Sequence, residues 1–183
     1  MRIMKKKVIY MVLVLISCVA LFAAFRPGPK SPVKVGDQAP SFVLQDQFGA
    51  SFNMDDYIGK TAMVVYFYPK DDTPGCTKEA CSFRDAYQEF TDKDIKVIGI
   101  SSDDVKSHKN FAEKYNLPFT PLADVNQEVR NLFGVKANVL GLIPGRVTYV
   151  IDKKGKVVFM YDSQLKAERH IQESINAIDN SLH

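Results

Sequence analysis

Two uninterrupted apolar segments constrain the fold of this chain more than any other feature of its sequence. Ala62–Tyr68 (AMVVYFY) and Ile95–Ser101 (IKVIGIS) are rich in β-branched and aromatic residues and carry one charged residue between them. Strands of this composition are buried on both faces, which requires a sheet with helices packed on either side. We expect Ala62–Tyr68 to lie at the centre of that sheet and residues 75–90 to form the helix that follows it.

Shorter strands and helices are predicted for the rest of the chain. This order indicates an α/β domain and is typical of the thioredoxin-like fold, a central mixed β-sheet flanked by helices, with reactive groups where a central strand leads into a helix. Periodicity alone does not distinguish that fold from other three-layer α/β folds. The further predicted strands are Phe42–Leu44, Ser51–Asn53, Val147–Ile151 and Val157–Tyr161, and the further helices run from Asp103-Asp104 to Tyr115, over Asn126–Phe133 and over Ala167–Leu182.

The first 30 residues differ in composition from the rest of the chain. Val8–Phe25 is 18 residues long, carries no charge and follows a basic stretch. This length lies between a long signal peptide and a short membrane-spanning helix. We therefore expect residues 1–30 to form an N-terminal membrane-targeting helix and linker, and residues 31–183 to form one domain. The positive-inside bias of Lys5–Lys7 places that domain on the extracytoplasmic, periplasmic side of the membrane.

Three outcomes are open for the N-terminal segment: an uncleaved anchor, a signal peptide that is cleaved so that the domain is secreted, and a lipoprotein. Leu15-Ile16-Ser17-Cys18 resembles the bacterial lipobox, in which the cysteine is acylated. The apolar run continues beyond it through Val19–Phe25, and no clean A-x-A cleavage site precedes Arg26. The uncleaved anchor is therefore favoured, with the proline-rich segment Arg26–Pro32 as an extended linker.

The distribution of charge argues against a nucleic-acid partner. The formal net charge is +3, but residues 1–30 hold six of the 24 basic residues and no acidic one. The remaining 153 residues carry 18 basic and 21 acidic side chains, a net charge of −3. A mildly acidic domain lacks the basic surface that phosphate binding needs.

The segment after the central strand places two cysteines in a predicted helix. Cys76 lies in the first helical turn, where unpaired N–H groups and the helix dipole stabilise a thiolate. Pro74 is suited to a helix start, and Thr73 can place its hydroxyl near the sulfur or near a bound oxygen ligand. Taken singly, Thr73 could be only an N-cap, and Cys76 and Cys81 two buried small residues.

The combination is more specific, because it resembles the peroxiredoxins and, among them, the bacterioferritin comigratory protein or peroxiredoxin Q subfamily. That subfamily carries the motif P-x-x-x-T-x-x-C, matched here by Pro69, Thr73 and Cys76, and many members have a second cysteine in the position of Cys81. The stretch YPKDDTPGCTKEACSFRD is similar throughout. Gly145-Arg146-Val147-Thr148-Tyr149 matches the strand that brings an arginine to the family's active site. The similarity extends from Val35 to the C-terminus.

The resemblance implies a peroxidase that reduces hydrogen peroxide and organic hydroperoxides. Cys76 would be the peroxidatic nucleophile and Cys81 the resolving cysteine, with an intramolecular disulfide reduced by thioredoxin or a similar dithiol protein. Arg146 would favour the thiolate and polarise the O–O bond, Thr73 would bind the oxygens, and Pro69 would shield the sulfenic acid. No metal or organic cofactor is required. Relatives are often monomers, so a monomer is expected.

Other polar residues near the motif have ordinary interpretations. Glu79 could orient the site or assist proton transfer, although a glutamate in the first turns of a helix is commonly a dipole partner. Arg84 and Asp85 are expected to form a surface or interface ion pair that contributes little to stability. His108 and His170 lie on predicted helices among charged neighbours. With no histidine beside the cysteines, a Cys–His hydrolase is unsupported.

Two other functions are compatible with the same residues. The first is a membrane-tethered thiol-disulfide oxidoreductase, although such proteins use C-x-x-C rather than the wider spacing of Cys76 and Cys81. The second is an extracytoplasmic binding domain in which these cysteines form a permanent structural disulfide. A comparison of peroxide consumption with insulin reduction separates the two enzymes, and reactivity toward a stoichiometric peroxide pulse separates both from the binding domain.

Overall fold

The computed structural model describes residues 32–138 and 141–181, and their architecture is a seven-stranded mixed β-sheet with helices on its faces. The strand order is β2-β1-β5-β4-β3-β6-β7. The strands are β1 (Val43–Asp46), β2 (Ser51–Asn53), β3 (Ala62–Phe67), β4 (Ile95–Ser101), β5 (Thr120–Ala123), β6 (Val147–Ile151) and β7 (Val157–Asp162). The α-helices are α1 (Pro74–Asp85), α2 (Tyr87–Asp92), α3 (Val105–Tyr115), α4 (Glu128–Leu132) and α5 (Ala167–Ser181), and a 3₁₀ turn covers Met54–Asp56.

The two apolar segments form neighbouring strands in the middle of the sheet. β3 pairs in parallel with β4 and antiparallel with β6, and every one of its six residues is buried. The antiparallel pairing places Val147, the first residue of β6, opposite Phe67, the last residue of β3. The carboxyl end of the central strand therefore lies beside the segment that enters β6, and this juxtaposition forms the functional site.

Alternation along β3 divides the apolar interior into two cores. Met63, Val65 and Phe67 face a core shared with α4 and with the N-terminal hairpin, which is formed by β1 and β2. Val64 and Tyr66 face a core shared with α1, α2, α3 and α5. Because strand side chains alternate between faces, each core receives every second residue of β3. The predicted arrangement, a mixed sheet covered on both faces, is confirmed as a thioredoxin-like α/β fold.

Two elements differ from the prediction. The helix expected over residues 75–90 is broken at Ala86, whose ψ of 7° leaves helical geometry, so that α1 and α2 are separate helices. β5 was not predicted, because its four residues include Pro121 and are too few to show a period. It pairs with both β4 and β1 and so joins the N-terminal hairpin to the sheet.

The predicted N-terminal membrane-targeting helix lies outside the described residues. Across residues 32–138 and 141–181, none of the helices has the length and apolar character needed to cross a membrane. The described residues cluster as one compact unit. The division into residues 1–30 and 31–183 stays a prediction.

Candidate active site

Cys76 lies in the first turn of α1, immediately after the loop that leaves the central strand. Thr73 is the N-cap of this helix, with extended backbone angles, and Pro74 occupies the first helical position. The proline is compatible with that position because the first N–H groups of a helix have no intrahelical partner. Cys76 is only 2% exposed, and its thiol is free. The structure thus encloses this thiol at the positive end of a helix.

Arg146 reaches the Cys76 sulfur from the neighbouring strand. It directly precedes β6, is itself buried, and its Nη2 donates to Cys76 Sγ over 3.3 Å. Its Nε faces the Gln164 carbonyl oxygen at 3.3 Å. A side chain at residue 75 would crowd the guanidinium, since a Cβ there would lie 3.3 Å from Arg146 Nη2. Gly75 therefore leaves the space that the arginine occupies.

Glu79 completes the polar contacts of Arg146. Its carboxylate is fully buried one turn after Cys76, and Arg146 Nη1 donates to Glu79 Oε2. Burial raises the pKa of Glu79 to about 8, against the opposing effect of Arg146. Burial lowers the pKa of Arg146, but the charges of Glu79 and Cys76 outweigh this and raise it overall. Glu79 is thus a partner of the arginine within the site rather than a partner of the helix dipole alone.

The other oxygen of Glu79 faces a buried histidine. Glu79 Oε1 accepts no hydrogen bond and lies 3.7 Å from His170 Nδ1. That nitrogen is 2.7 Å from Thr148 Oγ1, and His170 Nε2 is 2.9 Å from the Ser163 carbonyl oxygen. Because a carbonyl oxygen can only accept, Nε2 carries the proton and Nδ1 accepts from the threonine. Burial lowers the pKa of His170 to about 4, which agrees with a neutral ring.

The loop before α1 is anchored by Asp71. Its carboxylate is buried and accepts from Tyr68 Oη and Ser107 Oγ, each at 2.8 Å. His108 Nδ1 lies 2.9 Å from the same carboxylate, and its Nε2 lies 3.1 Å from the Leu122 carbonyl oxygen. These contacts attach the loop to α3 and to β5. His108, expected on a helix among charged neighbours, is therefore a buried structural residue.

Arg130 of α4 fixes the backbone on both sides of the site. Its Nη2 donates to the carbonyl oxygen of Tyr68 over 2.7 Å, and its Nη1 donates to that of Gly145 over 2.8 Å. Tyr68 follows β3 and Gly145 precedes Arg146, so one guanidinium joins the two segments that carry Cys76 and Arg146. Burial lowers the pKa of Arg130 to about 10, and the side chain remains cationic at neutral pH.

The structure brings Cys76 and Arg146 into direct contact. The other predicted site residues are Pro69, Thr73 and Cys81. The Thr73 hydroxyl donates to the Lys70 carbonyl oxygen over 3.0 Å, and Thr73 and Pro69 are both half-buried. Cys81 lies further along α1 and is also half-buried with a free thiol. Among residues 32–138 and 141–181, no cluster of three or more histidine, cysteine or acidic side chains could hold a metal ion.

Several residues around the site were not identified from the sequence. Arg130 carries no local signal, because its partners are 62 and 15 residues away. A signal was present for the histidines: His108 precedes the buried Phe111 by three residues, and His170 precedes Ser174 and Ile178 by four and eight. These spacings put both rings on the buried faces of their helices.

Comparison with known proteins assigns the chain to a family. The AhpC/TSA family matches residues 35–160. Chloroplastic peroxiredoxin Q of Populus jackii is 49% identical over 148 residues, which are 81% of this chain and 69% of that protein. The crystal structure of peroxidoxin BcpB from Mycobacterium tuberculosis aligns with a TM-score of 0.75 and 34% identity, covering 81% of this chain and 98% of that one. A Xanthomonas campestris bacterioferritin comigratory protein, described by its alkyl peroxide reduction activity, aligns with a TM-score of 0.69 and 26% identity over 80% and 98%.

These relatives correct the predicted location. The expectation of a membrane-anchored domain on the periplasmic side, with secretion or lipidation at Cys18 as alternatives, is wrong, since the similar curated proteins are chloroplastic. The residues on which that expectation depended lie outside the described part of the chain. Family membership confirms the predicted enzyme class. The chain belongs to the AhpC/TSA family, within its peroxiredoxin Q and bacterioferritin comigratory protein group, and is a thiol peroxidase of the thioredoxin-dependent class.

Proposed function

We propose that Cys76 is the peroxidatic cysteine of this enzyme. The observation that carries the proposal is the 3.3 Å contact between Arg146 Nη2 and Cys76 Sγ inside a buried site. A guanidinium beside a sulfur at a helix N-terminus favours the thiolate, which is the reactive form of cysteine. Glu79 and the Gln164 carbonyl oxygen hold the guanidinium in this position.

The proposed first step transfers one oxygen atom from the peroxide to sulfur. The Cys76 thiolate attacks the terminal oxygen, the O–O bond breaks, and its electron pair leaves as hydroxide or alkoxide, which takes a proton to become water or an alcohol. Cys76 becomes a sulfenic acid. Arg146 and the free N–H groups of the first helical turn stabilise the developing negative charge on oxygen. Thr73 and Pro69 border the site, the first to bind the oxygens and the second to shield the sulfenic acid.

The substrates proposed are hydrogen peroxide and organic hydroperoxides. Leu142 and Leu165 are 78% and 92% exposed, and Leu165 follows Gln164, whose carbonyl oxygen contacts Arg146. Asn138 connects the two leucines, because it pairs with Ile143 and its side chain donates to Gln164 Oε1 over 2.9 Å. Exposed apolar side chains beside a reactive centre are suited to the alkyl group of an organic hydroperoxide. The relative from Xanthomonas campestris, described by its alkyl peroxide reduction activity, supports the same class.

The proposed second step forms an intramolecular disulfide between Cys76 and Cys81. Thioredoxin or a similar dithiol protein then reduces it by thiol–disulfide exchange. The two cysteines lie on the same helix and are both free in the structure. All residues of this chain that take part in the cycle lie in residues 31–183. We propose that this domain acts as a monomer. Light scattering on the purified chain tests the proposal.

Two cysteine variants test the proposal. We expect Cys76→Ser to abolish peroxide reduction, because within residues 32–138 and 141–181 Cys76 supplies the thiol that contacts Arg146. Cys81→Ser is expected to consume one equivalent of peroxide and to stop as a sulfenic acid, detected by dimedone labelling and mass spectrometry. Turnover equal to that of the parent in either variant, with a thioredoxin-type reductant, would refute these roles. An insulin-reduction assay under the same conditions tests the thiol-disulfide oxidoreductase alternative.

A further inference from the structure

Two acidic groups share the guanidinium of Arg146 inside the protein. Cys76 Sγ lies 3.3 Å from Nη2, and Glu79 Oε2 accepts from Nη1. All three residues are buried. If the thiol and the carboxyl group were both ionised, two negative charges would face one positive charge away from water. Because neighbouring like charges disfavour each other's ionised form, such a site retains one proton.

The hydrogen-bonding pattern places that proton on Glu79. Within residues 32–138 and 141–181, no donor contacts its buried Oε1, although an ionised carboxylate needs donors at both oxygens. The polar atom that faces Oε1 is His170 Nδ1, 3.7 Å away, which accepts from Thr148 and offers no proton of its own. A buried oxygen that faces an acceptor is satisfied best when it carries a proton itself. At 3.7 Å this proton lies outside a normal hydrogen bond, so it can be released.

The elements packed around Glu79 bring neutral groups to it. His170 of α5 is neutral, since burial lowers its pKa to about 4. Tyr66 of β3 stays protonated, because burial and the nearby Glu79 raise its pKa well above 10. Thr148 of β6 does not titrate. Burial raises the pKa of Glu79 itself to about 8, which agrees with a protonated carboxyl group in the reduced site. The charge of Arg146 is therefore the one on which ionisation of Glu79 depends.

We propose that Glu79 is a proton reservoir for the peroxidase reaction, holding a proton while Cys76 is a thiolate and releasing it when the sulfur is oxidised. The inference rests on the proposed function of Cys76 as the peroxidatic cysteine. A sulfenic acid is neutral, so oxidation would leave the buried guanidinium without an anion. Ionisation of Glu79 supplies one, because an unpaired buried charge is costly. The negative charge beside Arg146 thus moves from the sulfur to the carboxyl group.

The first step balances with this proton. The Cys76 thiolate attacks the terminal oxygen of the peroxide, the S–O bond forms, the O–O bond breaks, and its electron pair leaves with the other oxygen. The proton released by Glu79 offsets the one that turns this oxygen into water or an alcohol. A thiolate and a carboxylic acid are thereby replaced by a sulfenic acid and a carboxylate, with the same total charge. The step therefore needs no net uptake of protons from the solvent.

Reduction of the disulfide restores the reservoir. The dithiol reductant supplies two electrons and two protons, which return both cysteines as thiols. The Cys76 thiol then passes its proton to the Glu79 carboxylate, and the thiolate beside Arg146 is formed again. Glu79 thus releases a proton in the oxidative half of the cycle and takes one up in the reductive half.

Proton counting on the Cys81→Ser chain tests this inference, since this variant should stop at the sulfenic acid and α1 need not unwind. One equivalent of hydrogen peroxide is added at pH 7 in weak buffer, and a pH indicator reports the protons taken up per site. With Glu79 present we expect fewer than about half a proton, because the reservoir supplies the rest. Cys81→Ser/Glu79→Gln has no reservoir and should take up about one proton.

Infrared difference spectroscopy of the same reaction identifies the group that loses the proton. Oxidation of Cys81→Ser should remove the carbonyl stretch of a protonated carboxyl group and produce carboxylate bands. Both changes should be missing from Cys81→Ser/Glu79→Gln. The matched control is Cys81→Ser/Glu168→Gln, which removes an exposed carboxylate paired with Lys78 and should behave like Cys81→Ser in both measurements.

The possible results separate this inference from the function on which it rests. Dimedone labelling and mass spectrometry first establish whether Cys76 becomes a sulfenic acid. If it does, and Cys81→Ser takes up a full proton or keeps its carboxyl band, the reservoir is overturned while Cys76 remains the peroxidatic cysteine. If Cys76 forms no sulfenic acid, both roles are overturned. Loss of the carboxyl band in Cys81→Ser supports the inference even if Glu79→Gln fails to fold.

Discussion

Arg146 has three different partners, and each of them uses a different nitrogen. Nη1 contacts Glu79, Nη2 contacts the Cys76 sulfur, and Nε faces the Gln164 carbonyl oxygen. A planar group with fixed donor directions can satisfy all three at once, whereas a lysine ammonium has no such geometry. The identity of this residue as arginine therefore matters as much as its charge.

For this reason we expect Arg146→Met to slow the reaction with peroxide by roughly 10²- to 10³-fold, the usual cost of removing a donor that stabilises developing charge on oxygen. Arg146→Lys should recover only part of the loss. Stopped-flow measurement of the second-order rate constant checks this. Because Arg146→Met leaves Glu79 buried without its partner, the double variant Arg146→Met/Glu79→Gln serves as a control for folding. Rates within a few-fold of the parent would give Arg146 a structural role instead.

Glu79 makes the stability of the enzyme depend on pH. Its pKa in the folded protein is about 8, above the ordinary value of 4.5. The folded state therefore holds the proton more tightly, and the stability that the proton contributes is complete below pH 4.5 and is lost as the pH rises through 8. The pKa of His170 is lowered to about 4, so this residue makes the folded state less stable as the pH falls below 6.5. The parent and Glu79→Gln both contain His170, so its effect is common to the two proteins.

Consequently, the free energy of unfolding of the parent should fall relative to that of Glu79→Gln between pH 5 and pH 8. The slope should approach about 1.4 kcal/mol per pH unit at most. Urea unfolding of both proteins across this range measures it. Parallel curves would show that Glu79 is ionised in the folded protein throughout.

At the scale of single elements, α1 carries the feature that the catalytic cycle has to change. Cys76 and Cys81 are five residues apart on one helix, a separation of about 7.5 Å in rise and about 140° in rotation. Their side chains point apart, and a disulfide requires Cα atoms within about 7 Å. The first turns of α1 must therefore unwind before the disulfide can close.

Hydrogen exchange can detect this unwinding. We expect amide protection over residues 76–85 to be lower in the oxidised protein than in the reduced protein, while the central strands β3 and β4 keep their protection. The segment that unwinds begins after Asp71, which precedes Thr73 in the loop. Asp71 stays in place because Tyr68, Ser107 and His108 contact its carboxylate. Identical protection of residues 76–85 in both states would rule out unwinding and favour an intermolecular resolving thiol.

The elements also show what could be predicted from the sequence and what could not. β3 and β4 were predicted because their apolar residues are contiguous, and Cys76 and Arg146 because they belong to sequence motifs. The break at Ala86 was missed, since alanine is a good helix former and neither glycine nor proline marks the position. Glu79 and Arg130 were not recognised as buried ionisable residues, because their partners are distant in sequence and only the fold brings them together.

At the scale of the whole molecule, Arg130 connects the two sides of the sheet. It belongs to α4. Val129 and Phe133, which are close to it in sequence, lie in one core, and Cys76 lies in the core on the opposite face of the sheet. Its guanidinium packs over the Phe67 ring and donates to the carbonyl oxygens of Tyr68 and Gly145. The position of the active-site backbone thus depends on a helix on the far face of the sheet.

Arg130→Met should therefore affect both stability and activity. It leaves two buried carbonyl oxygens without their donor, at a cost of about 1–3 kcal/mol each. We expect a lower free energy of unfolding in urea and a slower reaction of Cys76 with peroxide, although Arg130 touches neither the sulfur nor Arg146. Arg130→Lys keeps the charge but places all its donors on one nitrogen, and it should be intermediate in both measurements. An unchanged peroxide rate in a clearly destabilised Arg130→Met would confine this residue to a structural role.

The aromatic side chains that pack against α1 bear on the tyrosine fluorescence of the protein. The sequence has eight tyrosines and no tryptophan, so tyrosine emission is not masked by a stronger fluorophore. Tyr66 is fully buried in the core that holds Cys76, and its ring stacks on Phe83 of α1 with centroids 4.6 Å apart. If unwinding of α1 extends as far as Phe83, we expect this ring to lose part of its cover. Tyrosine emission should then change on oxidation, which would make the redox state observable in real time without a dye or a label.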